Sequence, residues 1–142
     1  MAFDIEARFE GLDGVLKRLR DAGPAGASAA GSAIRAAATL VAKDAKMRAR
    51  ALDDPKTARK IFNNIKVRSR KLRNGDRSAN VFLPTKVALP TPHWSLLEFG
   101  TSQMAARPFM RPALEQNITG ATNKFIEIFN KRLDRILAKL RK

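Results

Sequence analysis

An alanine-rich stretch from about Ala25 to Leu52 decides much of what this chain can fold into. Apolar and small side chains recur there at the three- and four-residue spacing of an α-helix. The recurring positions are Ile34, Ala38, Val41, Ala45, Arg48 and Leu52, with Lys43, Lys46 and Arg50 on other faces. A stripe of small residues (Ala27, Ala30, Gly31, Ala37) would let another element approach the helix axis closely. The stretch therefore predicts a long packing helix that ends at Asp53-Asp54-Pro55.

Two shorter elements are predicted before this helix. Apolar residues alternate with charged ones from Phe3 to Phe9, which indicates a strand over residues 2–10 with one buried face. From Asp13 onward, leucines and Val15 return at helical spacing until Gly23-Pro24. We therefore expect a short amphipathic helix between the strand and the long helix.

The second half of the chain contains a predicted hairpin and two further helices. Alternation around Val67, a polar turn near Gly75 and an apolar run around Phe82 predict a β-hairpin with a long basic loop. Pro84, Pro90 and Pro92 favour an extended connection to a helix over about residues 93–99. A last helix is expected from about Pro112, and its predicted apolar stripe is Leu114, Ile118, Ala121, Phe125, Ile128, Ile136 and Leu140. These elements predict one α+β domain over residues 1–142, with long helices packed on a small antiparallel sheet and an extended basic β-hairpin.

The charge of the chain is strongly positive. Its 142 residues include 28 Lys and Arg but 13 Asp and Glu, a formal net charge of +15. Thirteen of the basic residues and four of the acidic ones lie between Lys43 and Arg77. Such an excess points to an anionic partner or to the acidic face of a protein, although a solvated basic surface would have the same composition.

Composition also excludes several classes of function. The absence of cysteine removes disulfides and thiolate metal sites, and one histidine with no tyrosine leaves few general acids or bases. We therefore expect no enzyme, metal or cofactor, and a structural or interface role for His93. The acidic start of the chain is unlike a signal peptide, and no apolar run approaches about 18 residues, so we expect no export signal and no membrane association.

The least generic segment is residues 93–114. Its apolar anchors are Trp94, Leu97 and Phe99, after which Gly100 supplies a permissive backbone and Thr101 or Ser102 can bond to the turning chain. The prolines Pro108 and Pro112 fix the backbone, Phe109 is placed to pin the loop into the core, and Glu98 is expected to pair with Arg107 or Arg111. Nothing in this segment has the pattern of a catalytic site.

The run Leu97-Glu98-Phe99-Gly100-Thr101, followed by Arg107-Pro108-Phe109-Met110-Arg111-Pro112-Ala113, resembles a known signature. It is similar to "(Y/W)xxLEFGT … ARPFxRPA" of the lambdoid HK-type gene-ten tail-component family of long-tailed phages. The resemblance implies a non-enzymatic virion protein of the tail-completion, tail-terminator, neck or head–tail connector type. It further implies a homo-oligomeric ring, with six subunits expected, that is assembled in the host cytoplasm. In the virion, this ring would contact the tail tube and the head-proximal connector.

Six basic residues of the predicted hairpin are candidates for contact with an anionic partner: Lys66, Arg68, Arg70, Lys71, Arg73 and Arg77. Within a head–tail junction they would face an acidic ring of a neighbouring virion protein or the DNA that passes through the lumen. A protein partner is favoured, because a conduit that gripped DNA strongly would impede its passage. The alternative function is a basic phage protein that binds nucleic acid non-specifically through phosphates, since the chain lacks sequence-reading motifs and interleaved aromatics.

Overall fold

The computed structural model describes residues 13–56, 60–74, 76–83, 91 and 93–141. The strand predicted over residues 2–10 and the connection over 84–90 lie outside the described residues. The described elements are α1 (Asp13–Asp21), α2 (Gly23–Leu52), α3 (Ile61–Asn64), β1 (Lys66–Lys71), β2 (Arg77–Phe82), α4 (Trp94–Phe99) and α5 (Met110–Leu140). Long helices on a small antiparallel sheet confirm the predicted α+β class.

The ends of α2 lie close to the predicted positions. Gly23 adopts φ +54°, a conformation that favours glycine, and Pro24 occupies the first turn of α2, where its missing N–H removes no helical bond. At the other end, Asp53 is extended, and its carboxylate accepts the backbone N–H groups of Ile61 at 2.9 Å and Phe62 at 3.2 Å. The residue that stops α2 therefore caps α3, a short helix that the sequence pattern did not predict.

Helices α2 and α5 pack against each other and run antiparallel. The buried positions of α2 are nearly all small: Gly26, Ala29, Ala30, Ala33, Ala37, Val41, Ala42, Ala45 and Ala49. Because these side chains are short, larger side chains of α5 can lie close to the axis of α2. A polar network at the interface fixes the register, since Asn117 Nδ2 donates to Asp44 Oδ2 at 2.7 Å and Arg48 Nε donates to the same oxygen at 3.1 Å. The predicted packing role of the alanine-rich helix is confirmed.

The face that α5 buries differs in part from the predicted stripe. Phe129 and Leu133, which the stripe did not contain, are buried against Ala29 and Ala33 of α2, whereas Ile118 lies on the surface. Of the remaining stripe, Ala121 is buried, Leu114, Phe125, Ile128 and Ile136 are half-buried, and the side chain of Leu140 lies outside the described residues. Several adjacent faces of α5 carry apolar residues at three- and four-residue spacing, so the spacing alone does not identify the buried face. The contact with α2 determines which face is buried.

Strands β1 and β2 form the predicted antiparallel hairpin, with Lys71 directly opposite Arg77 at the turn end. The expected long basic loop is wrong, because only residues 72–76 separate the strands and most of the basic residues lie in the strands themselves. The polar turn is held by Asn74, whose Oδ1 accepts the backbone N–H of Asp76 at 3.1 Å. The core of the described residues has two clusters, of which one lies between α2 and Phe129 and Leu133 of α5. The other cluster involves α2, α3, the hairpin and the start of α5, and its largest buried side chains are Ile61, Ile65, Leu83 and Phe109. Trp94 and Leu97 of α4 pack against this cluster, so the 93–114 segment is attached to the core at both of its ends.

Candidate functional site

Glu98 organises the segment that follows α4. Its side chain is 8% exposed, and its two carboxylate oxygens accept three consecutive backbone N–H groups: those of Phe109 at 2.8 Å, Met110 at 3.0 Å and Arg111 at 3.0 Å. These are free donors at the start of α5, where the helix dipole also favours a negative charge. The expected ion pair with Arg107 or Arg111 is therefore wrong, because the helix N-terminus takes up the carboxylate. This cap also explains why α5 begins at Met110, two residues earlier than predicted.

The loop between α4 and α5 is closed by backbone and hydroxyl bonds. Gly100 has φ +72°, and a Cβ at this position would lie 2.7 Å from the backbone nitrogen of Ala106. Thr101 accepts the N–H of Met104 at its hydroxyl (3.0 Å) and donates its own N–H to the Met104 carbonyl (2.8 Å). The N–H of Arg107 then donates to the carbonyl of Leu97 at 2.7 Å. The predicted roles of the glycine and the threonine are confirmed.

The remaining motif side chains divide between the core and the surface. Phe109 is 0% exposed, as predicted, and Trp94 and Leu97 are half-buried. Phe99, expected as an apolar anchor, is instead 45% exposed, with its ring centroid 6.5 Å from that of Trp94. Arg107, Pro108 and Arg111 are exposed and Pro112 is half-buried in the first turn of α5.

Three large apolar side chains of this segment are exposed. Leu96 is 49% exposed, Phe99 45% and Met104 38%. Leu96 and Phe99 are three residues apart on one helix and therefore share a face, and the loop brings the Met104 carbonyl back to Gly100. We call Leu96, Phe99 and Met104 the apolar rim. Exposed clusters of large apolar residues are typical of surfaces that contact other proteins.

The comparison with family models agrees with the sequence resemblance. The family model described as "Bacteriophage HK97-gp10, putative tail-component" matches residues 13–100, which is more than half of the chain. The chain belongs to this family. The first motif block, ending at Gly100, lies within the match, and the block that starts at Arg107 lies beyond it. No curated protein and no solved structure matches the chain.

As a member of the HK97-gp10-like family, the protein is a component of a bacteriophage tail, and therefore of the virion, in a family of structural proteins. Its described residues include no group of His, Cys, Asp or Glu that could hold a metal ion. Across the same residues, no helix is long and apolar enough to cross a membrane. His93, at the start of α4, is exposed.

The two faces of the hairpin of this tail component carry different sets of basic residues. The cross-strand pair Val67 and Val81 packs against the core, so the face that also carries Lys71 and Arg77 is directed towards α2. The opposite face carries Lys66, Arg68 and Arg70, and Arg73 lies in the exposed turn. Arg70, near the turn end of β1, also borders the cleft between the hairpin and α2, so it is common to both sides. The guanidinium of Arg68 lies 5.7 Å from the ring centroid of its neighbour Phe82. The six candidate contact residues therefore do not form a single surface.

Basic residues from distant parts of the chain lie beside the hairpin. Ser28, Gly31, Ser32 and Arg35 follow one another at helical spacing on α2 and border a cleft against the turn end of the hairpin. A second cleft, which shares Ser28, is bordered by Arg132, Arg135 and Lys139 of α5. Neither cleft is bordered by an acidic residue among the described ones. Sequence reasoning did not single out Arg35 or the α5 cations, because only the packing of α2 between the hairpin and α5 brings them together.

Proposed function

We propose that this tail component is a tail-completion or tail-terminator subunit that forms a homo-oligomeric ring of six subunits at the head–tail junction. It acts without catalysis, joins the tail tube to the head-proximal connector, and is assembled in the host cytoplasm before it enters the virion neck. The observation that carries the proposal is the apolar rim of Leu96, Phe99 and Met104, exposed on a hydrogen-bonded motif segment in a family of tail components.

The rim supports assembly because its position is defined by the fold. Glu98 holds the start of α5 on one side, while Gly100 and Thr101 close the loop on the other, so the exposed side chains are presented on a fixed backbone. Preorganised apolar side chains lose little conformational freedom on association. In a ring closed head to tail, each subunit presents the rim to a different surface of its neighbour.

The outer face of the hairpin is the second contact surface of the proposal. Lys66, Arg68 and Arg70 on β1 and Arg73 in the turn are exposed. We assign this face to an acidic surface of a neighbouring tail or connector protein, because exposed cations speed and orient association with such a surface.

Mass photometry at high salt tests the ring. The wild-type chain should give a discrete hexamer, alone or after addition of the tail-tube and connector proteins. Phe99→Ser should abolish that species while it retains the helical circular dichroism of the wild type. Met47→Ser is the matched control, since Met47 is 58% exposed on α2 and is not part of the rim, and this variant should leave the ring intact. A wild-type chain that stays monomeric both alone and with its partners would contradict the proposal.

A second candidate function is non-specific nucleic-acid binding by a monomer, and the two adjoining basic clefts favour it. In that case the monomer should shift DNA of any sequence, and log K should fall with log salt at a slope of about −0.9 per phosphate neutralised. An affinity that does not change between low and moderate salt would reject this function.

A further inference from the structure

The cleft between α2 and the turn end of the hairpin has an unusual lining. Its volume is about 290 Å³, and the residues around it include four cations, Arg35, Arg70, Lys71 and Arg77, with four serines and no acid. None of the ion pairs found among the described residues involves these four cations. The lining is thus rich in hydrogen-bond donors and carries a concentrated positive charge.

Arg77 is the most strongly constrained of the four. Its stem lies across Gly31 of α2, where an added Cβ would be 3.6 Å from Arg77 Cδ and 3.7 Å from Nε. The Nε atom is buried, and within the described part of the chain it has no hydrogen-bond partner. Buried guanidinium donors are normally bonded, so the unpartnered Nε distinguishes Arg77 from the other three cations that border the cleft.

Lys71 adds a second charge at the same place. It lies directly opposite Arg77 across the hairpin, and like charges in that position repel each other. An anion between them would offset the repulsion and accept from both side chains. The serine hydroxyls of Ser28 and Ser32, one helical turn apart on α2, supply neutral donors at the opposite wall.

We propose that this cleft is a binding site for a phosphate group, with Arg77 and Lys71 as its principal ligands and Arg35 as a supporting cation. Four cations around a small volume match a group with more than one charged oxygen better than a single carboxylate, because phosphate offers up to two charges and several acceptors. The volume lies just below the usual range of about 300–1,000 Å³ for small-molecule pockets, which suits a phosphate or diphosphate group. The phosphate belongs either to a nucleic-acid backbone or to a free inorganic ion. The inference rests on the proposed function in one respect, namely that the basic hairpin binds an anionic partner, and it does not require the ring.

Isothermal titration of the full chain with pyrophosphate tests the site, with amide NMR shifts at Gly31, Ser32 and Ser78 to locate it. Lys71→Gln and Arg77→Gln should each weaken pyrophosphate binding about tenfold or more. Arg73→Gln is the matched control, since it removes the same charge from the same hairpin at an exposed turn position outside the cleft, and its effect should stay within about twofold. Lys71 is exposed, so its variant keeps the test valid if Arg77→Gln fails to fold.

The site would be overturned if the chain did not bind pyrophosphate at millimolar concentration, or if Arg73→Gln weakened binding as much as Lys71→Gln. It would also be overturned if citrate bound as tightly as pyrophosphate, because the cleft would then be a carboxylate site. A short DNA duplex distinguishes a nucleic-acid backbone from a free inorganic ion as the source of the phosphate. If the duplex competes with pyrophosphate, and Lys71→Gln weakens that competition, the site binds backbone phosphate. If the duplex does not compete, the site binds a free ion. The ring-disrupting variant Phe99→Ser should bind pyrophosphate normally, so failure of the ring and failure of the site are distinguishable.

Discussion

Replacement of Glu98 by glutamine tests the central structural role assigned to the motif. The carboxylate accepts three backbone N–H groups, two of them at Oε2 and one, from Arg111, at Oε1. The amide of Glu98→Gln has one acceptor oxygen, so it can serve Phe109 and Met110 but turns an NH₂ group towards the N–H of Arg111. The side chain is almost fully buried, which prevents water from replacing the lost acceptor freely.

The expected loss of stability follows from these contacts. One hydrogen bond to a charged acceptor contributes about 1.5–3 kcal/mol, and a negative charge at a helix N-terminus contributes about 0.3–1 kcal/mol. We therefore expect Glu98→Gln to lower the free energy of unfolding by about 3 kcal/mol. For a chain of this length, that corresponds to a fall in melting temperature of about 10 °C.

Urea unfolding followed by circular dichroism at several protein concentrations measures this change without interference from assembly. Glu115→Gln removes the same charge from an exposed position of α5 and should change stability by less than about 0.5 kcal/mol. Arg111→Gln should be equally mild, because Glu98 binds the backbone and not the guanidinium of this residue. Equal effects of Glu98→Gln and Glu115→Gln on the free energy of unfolding would refute the capping role of Glu98. A large effect of Arg111→Gln would instead support an ion pair between Glu98 and Arg111.

Three further substitutions have defined outcomes in thermal unfolding. Gly100→Ala should destabilise the protein by about 2 kcal/mol or more, because the backbone has φ +72° and the new Cβ would meet the Ala106 nitrogen at 2.7 Å. Phe109→Ala should cost about 3–5 kcal/mol, since the ring is 0% exposed and leaves a cavity. Ala33→Leu should cost about 1–3 kcal/mol, because Ala33 is fully buried where α2 meets Phe129.

Each of these substitutions has a matched control. Gly14→Ala should not destabilise, because nothing lies within 4 Å of the added methyl group. Phe99→Ala and Ala51→Leu are at exposed positions and should change the free energy of unfolding of the monomer by less than about 1 kcal/mol. If a control is as damaging as its partner, the local explanation given for that pair is wrong.

The sequence alone determined the elements whose signals are local. Gly23-Pro24 and Asp53-Asp54-Pro55 delimit α2 because they change the backbone where they stand, and the turn at Asn74 and Asp76 is made by side chains two residues apart. The motif blocks around Glu98 and Phe109 predicted the family for the same reason, since they are contiguous in the chain.

Only the tertiary structure decided which partners these residues find. Arg107, Arg111 and the free N–H groups at the start of α5 all lie within 13 residues of Glu98 in the sequence. Only the folded loop places the N–H groups, and not a guanidinium, against the carboxylate. Phe129 and Leu133 are buried and Ile118 is exposed because the packing of α2 determines which face of α5 is buried. Contacts of this kind join positions far apart in sequence, so they depend on how helices pack and not on the spacing within any one of them.

The distribution of charge depends most on the tertiary structure. Composition establishes the net charge of +15, and local sequence places six cations on the hairpin. The alternation of strand faces then separates Arg68 on the outside from Lys71 and Arg77 on the inside. Arg35 joins the inner pair because Gly31, one turn away on α2, has no side chain to hold the hairpin off. Electrostatic attraction depends on distance in space, and that distance is set by the packing of α2 against the hairpin.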